Sequence, residues 1–482
     1  MRLLAELKRR HVIRMAGVYL VGAWLVVQVA ATLLPVFSAP DWVMKLVVGL
    51  LTVAFLPAMA IAWWYELTPR GLELDSADQG WKRRRSDRPP APPNSVAVLP
   101  LKTGAGGEDV ERFADGLHDD LLTQLARIRS LKVISRTSMQ EYCDTRKNLR
   151  EIAAELGVAN VVEGGVQQQR SHVRLNVQLI DARSDTHLWA ESFDREIDDD
   201  DLFEMQSEIA LSIANALHAQ LLPEDAEALN RRMTSDAGAW RAYRAALRLV
   251  DRADVGDFDR AALLIDEALA RDPNFAAAWA LRARNAIARY WFGKPDDVQR
   301  RASRIALDKA QAMDANAPEV LVAEGYYHYW GFRDYARALA ATSKALDLRP
   351  NDPDVLRLQA FVLRRTGDFA AASDALKRAL EFDPRSAFGH IELALTLIRL
   401  RRFAEAEEHA DRGLALDPMW AFGRMARALV LIERDGDLAA ALEFMVVPDA
   451  GNSQPAFRRW WLLNALGRFD EALAQADFGR YA

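Results

Sequence analysis

The sequence predicts a multidomain protein ending in an all-α superhelix, and three observations predict it. Pro350, Pro384 and Pro418 fall 34 residues apart, as do Tyr335, Phe369 and Phe403, and the small residues Ala338, Ala372 and Ala406. A period of that length, closed by Pro, is the form of a helix–turn–helix array. Upstream, two long uncharged runs at 15–37 and 46–65 have the length of membrane-crossing helices. Between them and the array, 95–222 alternates short β-rich runs with helical spacing, the sign of a compact α+β domain. Arrays of helical hairpins bind other molecules and rarely do chemistry, so the expectation is an interaction protein and not an enzyme.

Composition narrows the classes further. Half of the 482 residues are hydrophobic and the net charge is −6, so no global field argues for nucleic acid as a partner. The single cysteine, Cys143, excludes an intramolecular disulfide and offers no metal-ligand cluster. No motif marks it as a nucleophile, and it is expected to be buried and inert.

The run 15–37 is 23 residues long, and 46–65 follows after a loop of eight. Trp42 and Trp63, Trp64 and Tyr65 sit at the ends of the second run, where amphipathic rings settle at the headgroups. Pro57 breaks a soluble helix but is tolerated in a membrane one. The first run is too long for a signal peptide, and a second span follows it directly. Arg2, Lys8, Arg9, Arg10 and Arg14 precede the first run, and Arg70, Lys82, Arg83, Arg84, Arg85 and Arg88 follow the second. The loop between them holds only Lys45, so both ends are expected on the cytoplasmic side of a bacterial inner membrane. Segment 1–14 is too short for a DNA-binding domain, and 66–94 reads as a basic, Pro-rich linker.

Within 95–222 the expected order is β-α-β-α-β-β-β-α. Strands are predicted at 95–101, 131–135, 160–166, 172–181 and 186–193, and helices at 111–128, 149–156 and about 202–222. Lys102-Thr-Gly-Ala-Gly-Gly looks like a phosphate loop, but its Lys precedes the glycines, and a plain connection is favoured. Asp115, His118, Asp119 and Asp120 gather ligand-type groups; acidic residues early in a helix also suit its dipole, and that reading is preferred to a metal site. Gly164-Gly165 inside a strand suggests a bulge or a close backbone approach, and Asp198–Asp201 a helix cap. No catalytic, cofactor or metal constellation is expected.

A resemblance enters here. The segments SVAVLPL, FADGLHDDLLTQLARI, LKVISRTS, IAAELGVANVVEGGV, VRLNVQLIDARSDTHLWAESFDRE and LFEMQSEIALSIANAL resemble, in order, the TolB-like domain of bacterial signalling and scaffold proteins. The hairpin preceding it resembles the membrane segment found before such domains. The resemblance implies a membrane-tethered relay or assembly protein with no catalytic residues of its own. The cyclase, kinase and winged-helix modules to which such domains are fused are missing from this sequence.

From 237 to 482 the pattern is helical and rich in Ala and Leu, with about seven hairpins expected. Ala360, Phe369, Ala372, Ala379 and Pro384 match the tetratricopeptide repeat, which the array resembles. One unit carries a longer loop near Gly293, and another, opened by Pro318, has one residue inserted near Arg333. In such superhelices the first helix of each pair forms the inner wall. Projection places Arg284, Tyr326, Tyr329, Phe361, Arg364 and Arg399 there, with Arg365 on the rim. Aromatics at 326–330 supply rigid anchors for a peptide, and the arginines suit carboxylates. The plainer reading puts many of those aromatics between repeats and those arginines at helix ends.

The expectation is therefore a membrane-anchored scaffold or adaptor whose array recruits a protein or peptide, with the lipid bilayer as its other partner. The alternative is a sensor whose 95–222 domain binds a small molecule or envelope component, the array being the output.

Overall fold

The computed structural model describes most of residues 90–475, with breaks at 104–107, 144, 170–171, 197–198, 224, 226–228, 230–231, 253–254, 294–295 and 446–452. Upstream it describes only 27–28, 30, 49–51, Tyr65–Thr68 and Gly71–Leu74. Segment 1–14, nearly all of both uncharged runs and most of 66–94 lie outside the described residues. Among those described, no helix is long and apolar enough to cross a membrane.

Two compact units are delimited, Met1–Pro89 and Pro90–Ala482. In the first, β1 (Tyr65–Thr68) and β2 (Gly71–Leu74) pair antiparallel, Tyr65 opposite Leu74. The sequence reading placed Tyr65 at a helix end and 66–74 in a linker. Tyr65-Glu-Leu-Thr alternates apolar and polar residues, which is the period of a strand and not of a helix.

The second unit opens with a sheet of β3 (Ser95–Val98), β4 (Lys102–Thr103), β5 (Lys132–Val133), β6 (Asn160–Gln169), β7 (His172–Asp181) and β8 (Thr186–Glu196), ordered β5-β3-β6-β7-β8 with β4 also on β6. Pairings among β3, β4, β5 and β6 are parallel, and β6-β7-β8 is an antiparallel meander. Helices cover both faces: α1 (Glu108–Ala126), α2 (Arg136–Met139), α3 (Leu149–Leu156) and α4 (Asp199–Ala216). Successive residues of β3 point to opposite sides. Val96 and Val98 join Leu121, Leu125 and Ile213 from α1 and α4, whereas Ala97 meets Met139, Ile152 and Leu156 from α2 and α3. Gly164 is required by close approach, because a Cβ there would lie 2.5 Å from the Asn176 carbonyl oxygen. Cys143 is exposed, not buried as expected; it follows the 3₁₀ turn Gln140–Tyr142, whose Tyr142 takes the interior position.

The rest of the unit is helical. Among the described residues, seven hairpins follow: α5 (Ala237–Arg252) with α6 (Val255–Arg271), α7 (Ala276–Phe292) with α8 (Asp297–Asp314), α9 (Pro318–Tyr326) with α10 (Tyr335–Leu348), α11 (Pro353–Thr366) with α12 (Phe369–Phe382), α13 (Ala387–Arg399) with α14 (Phe403–Leu416), α15 (Ala421–Asp435) with α16 (Leu438–Phe444), and α17 (Ser453–Ala465) with α18 (Phe469–Gln475). The period has a local cause. Asp334, Asp368 and Asp437 cap α10, α12 and α16, each accepting the N–H three residues on. Gly367 and Gly436 end α11 and α15 with φ of 89° and 67°. Arg333 and Arg401 hold the equivalent left-handed position without glycine's freedom, at φ of 55° and 58°. Small residues then let helices close: a Cβ on Gly413 would lie 2.6 Å from Ile391 Cδ1. The residue inserted near Arg333 is absorbed by a π-helical turn, Tyr327–Phe332, which widens the helix by one residue per turn. First helices of successive hairpins pack on one another and form the inner layer.

Candidate functional site

The inner wall of the array is the candidate site, and part of it is already occupied by a protein surface. Trp240, Arg244 and Arg248 stand at i, i+4 and i+8 on α5, so they share one face. Opposite them, α1 presents the neighbouring carboxylates Asp119 and Asp120. Arg244 and Arg248 reach Asp119 Oδ2 at 3.0 and 3.1 Å, and Arg136, at the start of α2, pairs with the same oxygen. The Trp240 indole N–H donates to Asp120 Oδ1 at 2.9 Å, and Gln206 of α4 donates to its other oxygen at 3.3 Å. Arg244 also stacks over the Trp240 ring at 5.5 Å. Burial raises the Asp120 carboxyl above its ordinary range, opposed by Arg244 and the Trp240 hydrogen bond.

Two more anchors join the α/β domain to the array. The amide of Asn351 donates to the carbonyls of Arg129 and Leu131 at 2.9 and 3.2 Å. At the turn before α13, the Ser135 and Ser138 hydroxyls donate to Asp383 Oδ1 at 2.6 and 2.8 Å, and the Ser135 N–H donates to the Phe382 carbonyl at 2.8 Å. Arg385 pairs with Glu141 there and lies over the Tyr142 ring at 5.7 Å. The domain therefore spans the wall from the first hairpin to the turn before the fifth.

Under this cover the wall is charged. Arg284 pairs with Asp251 at 2.7 Å, Arg349 with Glu319, and Arg357 with Asp354 and, at 3.4 Å, with Asp383. Burial opposes ionisation of Glu319, but Arg349 outweighs it and holds the carboxyl below its usual range. A cavity of about 120 Å³ lies among Trp240, Tyr243, Asp251, Arg284, Glu319 and Arg349. From the second half of α11 onward the wall turns aromatic. Phe361, Phe388, Trp420 and Phe422 form a ladder across three hairpins, with successive ring centroids 5.9, 5.9 and 6.1 Å apart. Phe388 is 42% exposed and the neighbouring Met419 62%.

The residues named from sequence divide between these regions. Arg284 lies 4.9 Å over the ring of buried Tyr326, beside Asp251 in the charged part. Tyr329 is buried too, packed on Trp291 and Tyr335, and its hydroxyl accepts from rim-lying Arg365 at 3.2 Å. Both tyrosines belong to the core between hairpins. Phe361 opens the aromatic ladder, with Arg364 over its ring at 5.1 Å and paired to Glu392 at 2.6 Å. Arg399 is exposed and stacks over Phe369 at 5.7 Å. In the phosphate-loop lookalike, Lys102 and Thr103 extend the sheet beside Gly165 and Val166. Of the acidic cluster on α1, Asp115 is exposed, His118 is buried against the Val98 carbonyl at 2.8 Å, and Asp119 and Asp120 dock the array. The docking residues Trp240, Arg244, Arg248, Asn351, Asp383 and Arg385 were not singled out in the sequence. The i, i+4, i+8 spacing on α5 was the one readable signal.

The chain is similar to known proteins in sequence and in structure. A family model for the second domain of HilA/YgeH-like transcriptional regulators matches residues 93–211. A protein of Rhizobium meliloti (strain 1021) named putative adenylate cyclase 3 is 30% identical over 263 residues, which is 51% of this chain and 43% of that protein. The chain thus spans less than half the length of that relative. Among solved structures, PilW, a type IV pilus biogenesis factor, is 20% identical, covering 50% of this chain and 98% of its own, with a TM-score of 0.34. A tetratricopeptide repeat protein from Parabacteroides merdae ATCC 43184 is 15% identical, covering 50% and 91%, with a TM-score of 0.36. The fold itself is a small sheet domain followed by a tetratricopeptide-like superhelix. Superhelices of this kind are, as a class, surfaces for binding proteins.

Proposed function

We propose that this chain is a membrane-anchored scaffold, without catalytic activity, that recruits a protein partner on its array in signalling or complex assembly. One observation carries the reading: the inner wall already grips a protein surface, its own α/β domain, through Asp119 and Asp120. The half-buried ladder of Phe361, Phe388, Trp420 and Phe422, with Phe388 exposed, offers a second stretch of the same wall, and rigid aromatics are the usual anchors of such contacts. Arg364 lies over its first ring. The uncharged runs 15–37 and 46–65 with their basic flanks support a two-pass anchor in a bacterial inner membrane, soluble parts inward. The TolB-like resemblance of 95–222 supports a relay or assembly role.

Crosslinking from native membranes tests the reading. A partner captured by the intact chain is expected to be lost with Phe388→Ala/Trp420→Ala, and its retention after deletion of 387–475 would sink the proposal. A reporter fused after Ala482 is expected to be active only on the cytoplasmic side. The cavity beneath the docked domain favours a second reading, a small-molecule sensor with the array as output. That reading requires ligand-dependent thermal stabilisation of the intact chain, lost in Arg284→Met.

A further inference from the structure

The junction between the α/β domain and the array is polar. No apolar core cluster among the described residues spans it: those of the sheet domain draw on 96–229, and those of the array on residues from 239 onward. What crosses it at the three anchors is hydrogen bonds, ion pairs and the stack of Arg385 on Tyr142. Interfaces of this kind permit relative motion of the joined parts.

Charge is balanced unevenly along it. Each arginine deeper in the wall or at the far anchor has a carboxylate of its own: Arg284 with Asp251, Arg349 with Glu319, Arg357 with Asp354, Arg385 with Glu141. Among the described residues, three arginines at the α1–α5 contact pair with Asp119, while Asp120 accepts from Trp240 and Gln206. Arg136 belongs to the same sheet domain as α1, so Asp119 divides its charge between that neighbour and the two arginines of α5. Among the described residues, the Nε of Arg244 is buried with no acceptor. The Arg248 side chain is 48% exposed, so an incoming carboxylate reaches it while α1 is still in place. An internal ligand that leaves donors and positive charge unmatched is open to replacement by one that matches them better.

We propose that α1 is a displaceable internal ligand, and that the Trp240, Arg244 and Arg248 face of α5 accepts in its place an acidic helix from a partner protein. The fitting partner presents carboxylates to both Arg244 and Arg248 from one helical face, without a neighbouring cation such as Arg136 to share them. This deepens the reading of the wall as a protein-binding surface, but it concerns the first hairpin and not the aromatic ladder. Loss of the latch therefore leaves capture at Phe388 and Trp420 as a separate question.

The test uses the full chain in detergent micelles and a fluorescent peptide of residues 108–126, read by anisotropy. In Asp119→Asn the latch is weakened, and the peptide is expected to bind about tenfold tighter than to the wild type. A peptide with Asp119→Asn/Asp120→Asn is expected to bind about tenfold more weakly than the native one. Arg244→Glu/Arg248→Glu is expected to abolish binding. Ser135→Ala/Ser138→Ala loosens the far anchor without touching the peptide site, so it gives the same comparison if Asp119→Asn fails to fold. Equal peptide affinity for the wild type and both loosened variants overturns the proposal. So does binding that ignores the peptide's carboxylates.

Discussion

The two halves of the array's inner wall solve the same problem in opposite ways. From α5 to the first half of α11 the wall is built of arginines and carboxylates, and the α/β domain covers it, with its far anchor at Asp383. From Phe361 onward it is built of aromatic rings that stay partly exposed. Buried charge is tolerated only where each group finds a partner, and in the first half the docked domain supplies part of that pairing. Rings need no such partner and remain available for contact. The comparison teaches that one half of the groove has its ligand built in and the other half does not.

The strongest way to break the comparison is to take the carboxylate out of the latch. Asp119→Ala leaves three arginines facing one another, and the expected loss is about 2–5 kcal/mol of docking stability. Hydrogen exchange should then rise in α1 and α5 together while α13–α16 stay protected. Unchanged exchange in α5 would mean that the ion cluster does not hold the domain.

Acidification probes the other half. His390 Nε2–H donates to the Pro384 carbonyl at 3.1 Å, so its Nδ1 accepts from His409 Nδ1–H at 2.9 Å. Burial lowers the His409 pKa to about 4, with Glu408 and Glu405 opposing the shift and Arg412 and Lys377 adding to it. The unfolded chain takes up this proton below about pH 6.5 and the folded chain only near 4, so stability is lost as pH falls through that window. The expected loss is about 2 kcal/mol. Denaturation at pH 7 and pH 4.5 measures it, and His409→Gln should flatten the slope.

Phe388→Ala is expected to cost about 1–2 kcal/mol, less than a fully buried ring, because much of the side chain already meets solvent. A larger loss in the melting curve would mark the ladder as core and not as a binding surface. Smallest is Arg401→Gly, which relieves a left-handed φ of 58° and should stabilise by about 0.5–1 kcal/mol. No gain in denaturant midpoint would show that the Arg401 stack on Phe403, at 5.5 Å, offsets the strain.

Much of the architecture was legible because it repeats. Pro384 follows α12 and Pro418 follows α14, where the 34-residue period put the ends of units, and Asp368 and Gly367 carry their own reasons for a helix to stop and start. Alternation in 172–181 showed which face of β7 is buried, since Val173, Leu175, Val177 and Leu179 all are. The candidate site was far less legible. Projection put Arg284 and Tyr326 on the wall but said nothing of what lies over them. Asp119 and Asp120 were read as charges suited to a helix dipole, when they are docking groups.

By itself, the sequence determined the repeating helical hairpins and the sheet domain ahead of them. Those follow from spacing, caps and small residues within some tens of positions. Only the tertiary structure decided that half of the groove is filled from within. The pairing of Asp119 with Arg248 joins residues 129 positions apart, and that of Ser138 with Asp383 spans 245. Periodicity records which face a residue shares with its near neighbours; which distant surface meets that face depends on how two separately formed cores come to rest against each other.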